Sequence, residues 1–463
     1  MDIYRPIYHF LPEGNWMNDP NGVIYYEGHY HLFYQCNPND NHWGDIHWGH
    51  ARSKDLVHWE HLPMALYPSK ELGEAHCFSG SCIINEGTPT IFYTSIGTGE
   101  RNPSTGAEQW MATSNDNMLT WQKYALNPVL TVELHGDTEI REWRDPFLWK
   151  EGNDWYMVIG GSHNKKGCVL IYRSKDLKVW KFLNILLEGN GDVCECPNYF
   201  KLGDKYVMVY SPYGPVKYLI GSINENYKFI SKYEGIIDYS GWEGFYAPNS
   251  LEDPQGRRIM WGWLTEQSRN EFNVECGWAG VQSLPRVLTI SKQGKLNINP
   301  VPEIEKLRYD HVCFRDKILL NETYETGVRG RALEIEVTFK IDSVNEEFEI
   351  EVFKSSNGQE TTKVIFNARR EELTVDRSQS SLSQLPNRSN LCAPLPLKKG
   401  DTLKLRIFID HSLIEVFANE EQCISTRIYP VLEDSDKVDI KANNKSKVIL
   451  KKLDIWKLKS INL

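Results

Sequence analysis

An all-β chain, with an N-terminal five-bladed β-propeller followed by a C-terminal β-sandwich, is the fold predicted by these 463 residues. Three observations carry that expectation. A hairpin pattern recurs five times before residue 300, a Ser-x-Asp element ending in Trp recurs three times between the hairpins, and the later sequence changes to short strands of period two. Amphipathic helices, which a parallel α/β fold requires, are missing from the pattern.

The hairpins come first. Alternating aromatic and aliphatic residues flank short polar turns in GVIYYEGHYHLFYQ (22–35), SCIINEGTPTIFYTS (81–95) and DPFLWKEGNDWYMVIGGS (145–162). The pattern returns in NYFKLGDKYVMVYSP (198–212) and NSLEDPQGRRIMWGWLT (249–265). Apolar alternation around a Gly-bearing turn is the signature of paired strands. The second element, SKDLVHW (53–59), SNDNMLTW (114–121) and SKDLKVW (174–180), places its Asp at 55, 116 and 176. A repeat of this length leaves room for two further strands per hairpin, which describes four-stranded blades arranged radially.

What precedes each hairpin points to chemistry. The lead-ins NDPNG, FSGS, WRDP, ECPN and FYAPNS put Asp19, Ser79, Asp145, Glu195 and Pro248 at steps of 60, 66, 50 and 53 residues. Equivalent positions of successive blades lie at equivalent places around the propeller axis, so Asp19, Asp145 and Glu195 are expected to face one central funnel. A single acid before a strand reads as a turn. Three at equivalent blade positions read as a site, because crowded carboxylates repel and a fold without use for them would be destabilised.

Beyond a Pro-bearing connector, NPVPEIEKLR (299–308), segments such as ALEIEVTFKI, EFEIEVF and DTLKLRIFIDHSLIEVFAN alternate at period two. Short strands with polar turns predict a sandwich, which reads as structural or accessory. The domain boundaries that follow are 1–302 for the propeller, 303–328 for a linker and 329–463 for the sandwich.

Composition bounds the partners. The chain is 41% hydrophobic and 25% charged with net charge −10 and no long Lys/Arg block, so neither nucleic acid nor an anionic membrane is the expected partner. No apolar run approaches the roughly 18 residues of a membrane span. MDIYRPIYHF has no basic region followed by an apolar core, so no export signal is expected. Ten cysteines at scattered spacings suit a reducing cytoplasm better than a disulfide scaffold. CEC (194–196) and HWGH (47–50) lack a second cluster at zinc-site spacing, so no metal and no cofactor are expected. The many aromatics (15 Trp, 23 Tyr, 17 Phe) fill blade cores, and some are expected to cover the apolar faces of a small carbohydrate.

Two carboxyl groups flanking a scissile bond are the core of glycoside hydrolysis. Asp19, beside the amides of Asn18 and Asn21, is the candidate for the permanently ionised partner. Glu195, between Cys194 and Cys196, has weakly polar neighbours in sequence and is the candidate proton donor. Strand alternation puts Arg144 on the opposite face from Asp145. The carboxyl separation is not legible in sequence, so retention and inversion both stay open: about 5 Å predicts the former and larger gaps the latter.

RPIYHFLPEGNWMNDPNG, YQCNP, FSGS, WRDP, ECP, FYAP and GWAGVQSLPRVL, in this order, together with the later IFIDHSLIEVFAN…TRIYP, resemble glycoside hydrolase family 32 over essentially the whole chain. The resemblance implies a retaining β-fructosidase, with Asp19 as nucleophile, Glu195 as acid and then base, and Asp145 as transition-state stabiliser. It further implies that Asn18, Gln35, Trp43, Phe78, Ser79, Arg144 and Trp263 line the fructose pocket. For Trp43 and Trp263 the alternative is blade packing, and for Arg144 a structural ion pair. Two positions depart from the pattern: Asn198 and Gly244 stand where the family commonly has Asp, which puts sucrose preference in doubt. The implied substrates are short fructosides such as inulobiose or sucrose. Competing readings are sucrose 6-phosphate hydrolysis, an inverting propeller hydrolase acting on arabinans or xylans, and a non-catalytic sugar-binding propeller.

Overall fold

The structure, a computed structural model, describes residues 2–99, 102, 106–189, 191–266, 276–443 and 447–461. Five antiparallel sheets follow one another along the first 300 residues. Their innermost strands are Asn15–Tyr26, Glu74–Asn85, Arg141–Glu151, Glu195–Leu202 and Phe245–Glu252. Each pairs with the next strand through the polar turn read from the sequence, as in Tyr26↔His29 and Leu202↔Lys205. The Ser-x-Asp elements form the turns between third and fourth strands of the first three blades. There the Asp carboxylate accepts backbone N–H groups, for example Val57 and His58 onto Asp55 Oδ1 at 3.1 and 2.9 Å. Trp278–Ala279, from late in the propeller, pairs in parallel with Asn15 and Trp16 and so closes the ring on blade one.

Two six-stranded sheets form the sandwich. Alternate residues of the facing strands Ala332–Lys340 and Glu347–Lys354 fill its core, with the rings of Phe339 and Phe348 3.9 Å apart. The stretch expected as a linker, 303–328, contains the 3-10 turn Pro302–Leu307 and two strands. Arg308–Leu320 pairs with Lys447–Leu458, and Thr323–Arg329 pairs with Lys437–Asn443, so both strands belong to the sandwich. Each lies at a sheet edge and is largely exposed, so polar residues stand where an inner strand would alternate.

A continuous apolar core joins the two units, with Phe408, Leu413 and Phe417 packed among propeller residues such as Phe245 and Trp278. Charges are buried within it. The backbone N–H groups of Ile7, Tyr8 and His9 all donate to the Asp410 carboxylate, and the His9 ring lies between Asp410 (2.9 Å) and Glu415 (3.0 Å). Arg286, fully buried, donates to Asp238, Glu415 and Ser425. Paired in this way such groups are tolerated, whereas removing one partner strands a buried charge.

Candidate active site

Register breaks occur at equivalent places in all five innermost strands. They fall between Met17 and Pro20, Cys77 and Gly80, Arg144 and Phe147, Glu195 and Asn198, and Tyr246 and Asn249. Four contain or border a proline, Pro20, Pro146, Pro197 or Pro248, which has no N–H to give to a ladder. Asp145, Cys196 and Ala247 take positive φ angles of 67°, 45° and 48°. Bulges of this kind re-aim side chains. They bring Asp19, Asp145 and Glu195 to one funnel, as the blade spacing predicts. They also overturn one expectation: Arg144 and Asp145 both face the funnel, because the bulge breaks the alternation that would separate them.

Asp19 is held by side chains from three blades, the Cys196 thiol of blade four among them. Asn18 donates to its Oδ1 at 3.1 Å, while Ser79 (2.6 Å) and Gln35 (3.3 Å) donate to its Oδ2. Trp16 in turn fixes Asn18, donating from Nε1 to its side-chain oxygen at 2.8 Å. Asn21 does not reach Asp19; its amide, oriented to satisfy both ends, donates to Ser79 Oγ. The expected low pKa is not what the site produces. Burial pushes the Asp19 carboxyl up to about 6, the Ser79 hydrogen bond pulls it down, and the nearby Glu195 charge adds to the rise.

Asp145 accepts the Cys196 N–H at 2.9 Å, and the Cys196 thiol lies 3.4 Å from Asp145 and 3.5 Å from Asp19. Burial pushes Asp145 up to about 7; Arg144 opposes this, and Glu195 and Asp19 reinforce it. Glu195 departs from the sequence expectation of weakly polar neighbours. Arg144 donates to its Oε1 from Nη2 (2.8 Å) and Nε (3.1 Å), and the Tyr246 hydroxyl donates to its Oε2 at 2.6 Å. Cys194 and Cys196, adjacent in sequence, point elsewhere: Cys194 into the packing between blades three and four, Cys196 toward the two aspartates. Arg144 also donates to Glu142 at 2.7 Å and to the Tyr213 hydroxyl at 3.2 Å.

These groups line a cavity of about 410 Å³. Asn18, Gln35, Trp43, Phe78, Arg144 and Trp263 line it with the three acids, and Ser79 lies just behind Asp19. Trp43 stands at the rim, 51% exposed, beside His76 and Phe78. Trp263 is buried, edge-on to Trp16 and Trp242. Sequence reasoning missed Trp16, Glu142, Tyr213, Trp242, Tyr246 and Ala247 as lining residues. Trp16 and Tyr246 sit inside quoted motifs and were findable; Tyr213 and Trp242 lie in inter-strand loops without a repeat signal.

Neither departure from the family pattern opens the pocket. Asn198 is buried and donates to the carbonyls of Cys196 (3.1 Å) and Pro248 (2.9 Å), tying blade four to blade five. Gly244 pairs with Thr426 of the sandwich, and a Cβ there would lie 1.9 Å from the Ser425 carbonyl oxygen. A carboxylate at 244 is therefore sterically excluded in this chain. The histidines of HWGH are likewise committed to the fold: His47 bonds the Asp45 carbonyl, and His50 pairs with His31.

The raised pKa of Asp145 has a consequence for stability. A carboxyl of folded pKa about 7 and ordinary value 3.8 holds its proton more tightly folded than unfolded. Its cost is absent below about pH 4, grows as pH rises, and is complete above 7. Asp145→Asn should therefore raise stability at pH 8 by roughly 1–3 kcal/mol, with the gain shrinking toward pH 4. Thermal melts of both proteins at pH 5 and pH 8 check this; an equal difference at the two values contradicts it.

Comparisons with known proteins cover both units of the chain. The model for the glycosyl hydrolases family 32 N-terminal domain matches residues 9–300, and that for the family 32 C terminal matches residues 303–457. Sucrose-6-phosphate hydrolase of Escherichia coli is 32% identical, over 94% of this chain and 91% of its own. Fructan 1-exohydrolase IIa of Cichorium intybus, whose variant was solved with 1-kestose, superposes with a TM-score of 0.89 at 27% identity, covering 99% and 98% of the two chains. A β-fructofuranosidase of Bombyx mori, solved as a variant with sucrose, gives 0.83 at 32% identity over 100% and 95%. A propeller whose five bulged inner strands carry three acids into one funnel, matched over both units by the family models, belongs to glycoside hydrolase family 32 and is a hydrolase of the β-fructofuranosidase type.

Proposed function

We infer that the enzyme releases terminal β-D-fructofuranosyl groups from short, unphosphorylated fructosides by double displacement. Asp19 attacks C2 of the fructosyl group, and Glu195 protonates the departing oxygen. Glu195 then takes a proton from the water that opens the fructosyl-enzyme, and Asp145 accepts hydrogen bonds from sugar hydroxyls. A carboxyl that gives up and regains a proton needs a partner that serves both states. The Tyr246 hydroxyl, which also accepts the Tyr213 N–H at 2.9 Å, can donate or accept.

One observation carries the choice of leaving group. Arg144 is the one cation lining the cavity among the described residues, and it is already bonded to Glu195 and Glu142. A leaving group bearing a phosphate would meet the Glu142 carboxylate and, among the described residues, no uncommitted positive charge there, whereas Trp43, Tyr213 and Trp242 offer flat faces to a neutral sugar. The ten cysteines are all free, which supports a reducing compartment for the enzyme.

The test is a substrate panel. kcat/KM on inulobiose or sucrose should exceed that on sucrose 6-phosphate by about tenfold or more, the scale of one lost charge-assisted contact. Polymeric inulin and levan should be poorer substrates than the disaccharides. A preference for sucrose 6-phosphate would overturn the reading and align the enzyme with its E. coli relative.

A further inference from the structure

The leaving-group wall of the cavity is braced from the sandwich. Trp242 lies in the 3-10 turn Gly241–Glu243, and its ring stands edge-on to Tyr213 (5.5 Å), Tyr246 (4.7 Å) and Trp263 (5.9 Å), all three lining the cavity. Its own blade contributes Thr265, which donates from Oγ1 to the Trp242 carbonyl and from its N–H to the Gly244 carbonyl, both at 2.9 Å, and the Phe245 N–H, which donates to Ser240 Oγ at 2.8 Å. The segment is also laced to the other unit. Tyr239 N–H donates to the Cys423 carbonyl, Ser425 N–H donates to Asp238, and Gly244 bridges to Thr426. Residues 239–244 thus cover the edge strand Gln422–Arg427 of one sandwich sheet.

Arg377, from beyond the strand Glu372–Asp376 of the other sheet, completes the brace. Its guanidinium has no exposed surface and donates to Glu243 (3.2 Å), to Thr426 Oγ1 (2.7 Å) and to the Ser389 carbonyl (2.8 Å). Ser389 Oγ donates to the same Glu243 oxygen at 3.2 Å. Glu243, the immediate neighbour of Trp242, is therefore held by the sandwich rather than turned to the cavity. A planar donor fork that binds a carboxylate, a hydroxyl and a carbonyl at once fixes direction as well as distance.

We propose that Arg377 is a positioning residue for leaving-group selectivity, acting through Glu243 to set the Trp242 ring. The proposal rests on the reading above, in which the fructosyl group occupies the Asp19 end and the leaving group meets the aromatic rim. It gives the sandwich a part in the reaction that its distance from the acids conceals. A swing of Trp242 alters the contact with the leaving group and leaves the water step on the common fructosyl-enzyme as it was.

The experiment compares wild type, Glu243→Gln, Arg377→Lys and Trp242→Ala, each in the full chain, with the two brace variants repeated in the Trp242→Ala background. The readout is the ratio of kcat/KM for inulobiose to that for sucrose. Each brace variant should change this ratio by about fivefold or more on its own and by less than about twofold once Trp242 is gone, since an effect routed through one side chain vanishes with it. Arg377 is buried and its variant can fail to fold; Glu243 is partly exposed, so Glu243→Gln then decides alone. Equal loss on both sugars, or the same ratio change with and without Trp242, overturns the proposal. If wild type prefers sucrose 6-phosphate, the substrate reading falls, and the brace is judged on the ratio of sucrose 6-phosphate to sucrose in the same variants.

Discussion

Asp19→Ala should lower kcat by about 10⁵-fold, the scale of removing a nucleophile that works as part of a unit. Asn18, Gln35 and Ser79 aim donors at the Asp19 oxygens, and burial, which pushes its pKa up to about 6, still leaves the carboxyl ionised at neutral pH. The variant relieves a buried charge, so its melting temperature should stay near that of wild type. The space vacated lies on the face that the carboxylate attacks. Added azide should therefore restore part of the turnover of an activated fructoside, giving a fructosyl azide of inverted configuration. A variant within about tenfold of wild type would remove Asp19 from the nucleophile's place.

Glu195→Gln should cost about 10²- to 10⁴-fold in kcat/KM on sucrose, the range spanned by general acid–base catalysis. The substitution suits the site sterically. Its amide oxygen can keep the two Arg144 donors, and its NH₂ can donate to the Tyr246 oxygen once that hydroxyl turns. The loss should be far smaller for a p-nitrophenyl fructoside, whose leaving group departs without a proton. An equal loss on both substrates would mean that Glu195 shapes the site and donates no proton.

Much of this site can be read from the chain. The acids announce themselves because a propeller repeats its inner strand, so NDP, RDP and ECP fall at like positions, each with a proline that a regular ladder would not accept. Bulge geometry is harder to read. Strand alternation separates Arg144 from Asp145, and only the register break shows them side by side. The surroundings of Glu195 come from Arg144 and Tyr246 in the neighbouring blades, so the two flanking cysteines were a poor guide to its polarity. Gly244 misled for a similar reason. Its constraint is the Ser425 carbonyl in the other unit, and no local pattern carries that information. The sandwich was legible where strands are buried on one face and lost at its exposed edges, where Arg308–Leu320 has no apolar alternation to show.

The hooks on Asp410 and Glu415 set an order of events during synthesis. Domains usually settle as they leave the ribosome, first part first. Here the segment 7–9 that runs into the nucleophile strand has its partners in a hairpin made about 400 residues later, and Arg286 waits for Glu415. All three acids have been translated by residue 195, yet the scaffold that holds them is locked only when the sandwich arrives. The nascent chain thus carries its catalytic residues long before it can use them, and a gene rearrangement that moved the propeller alone would export a ring with charges open to nothing.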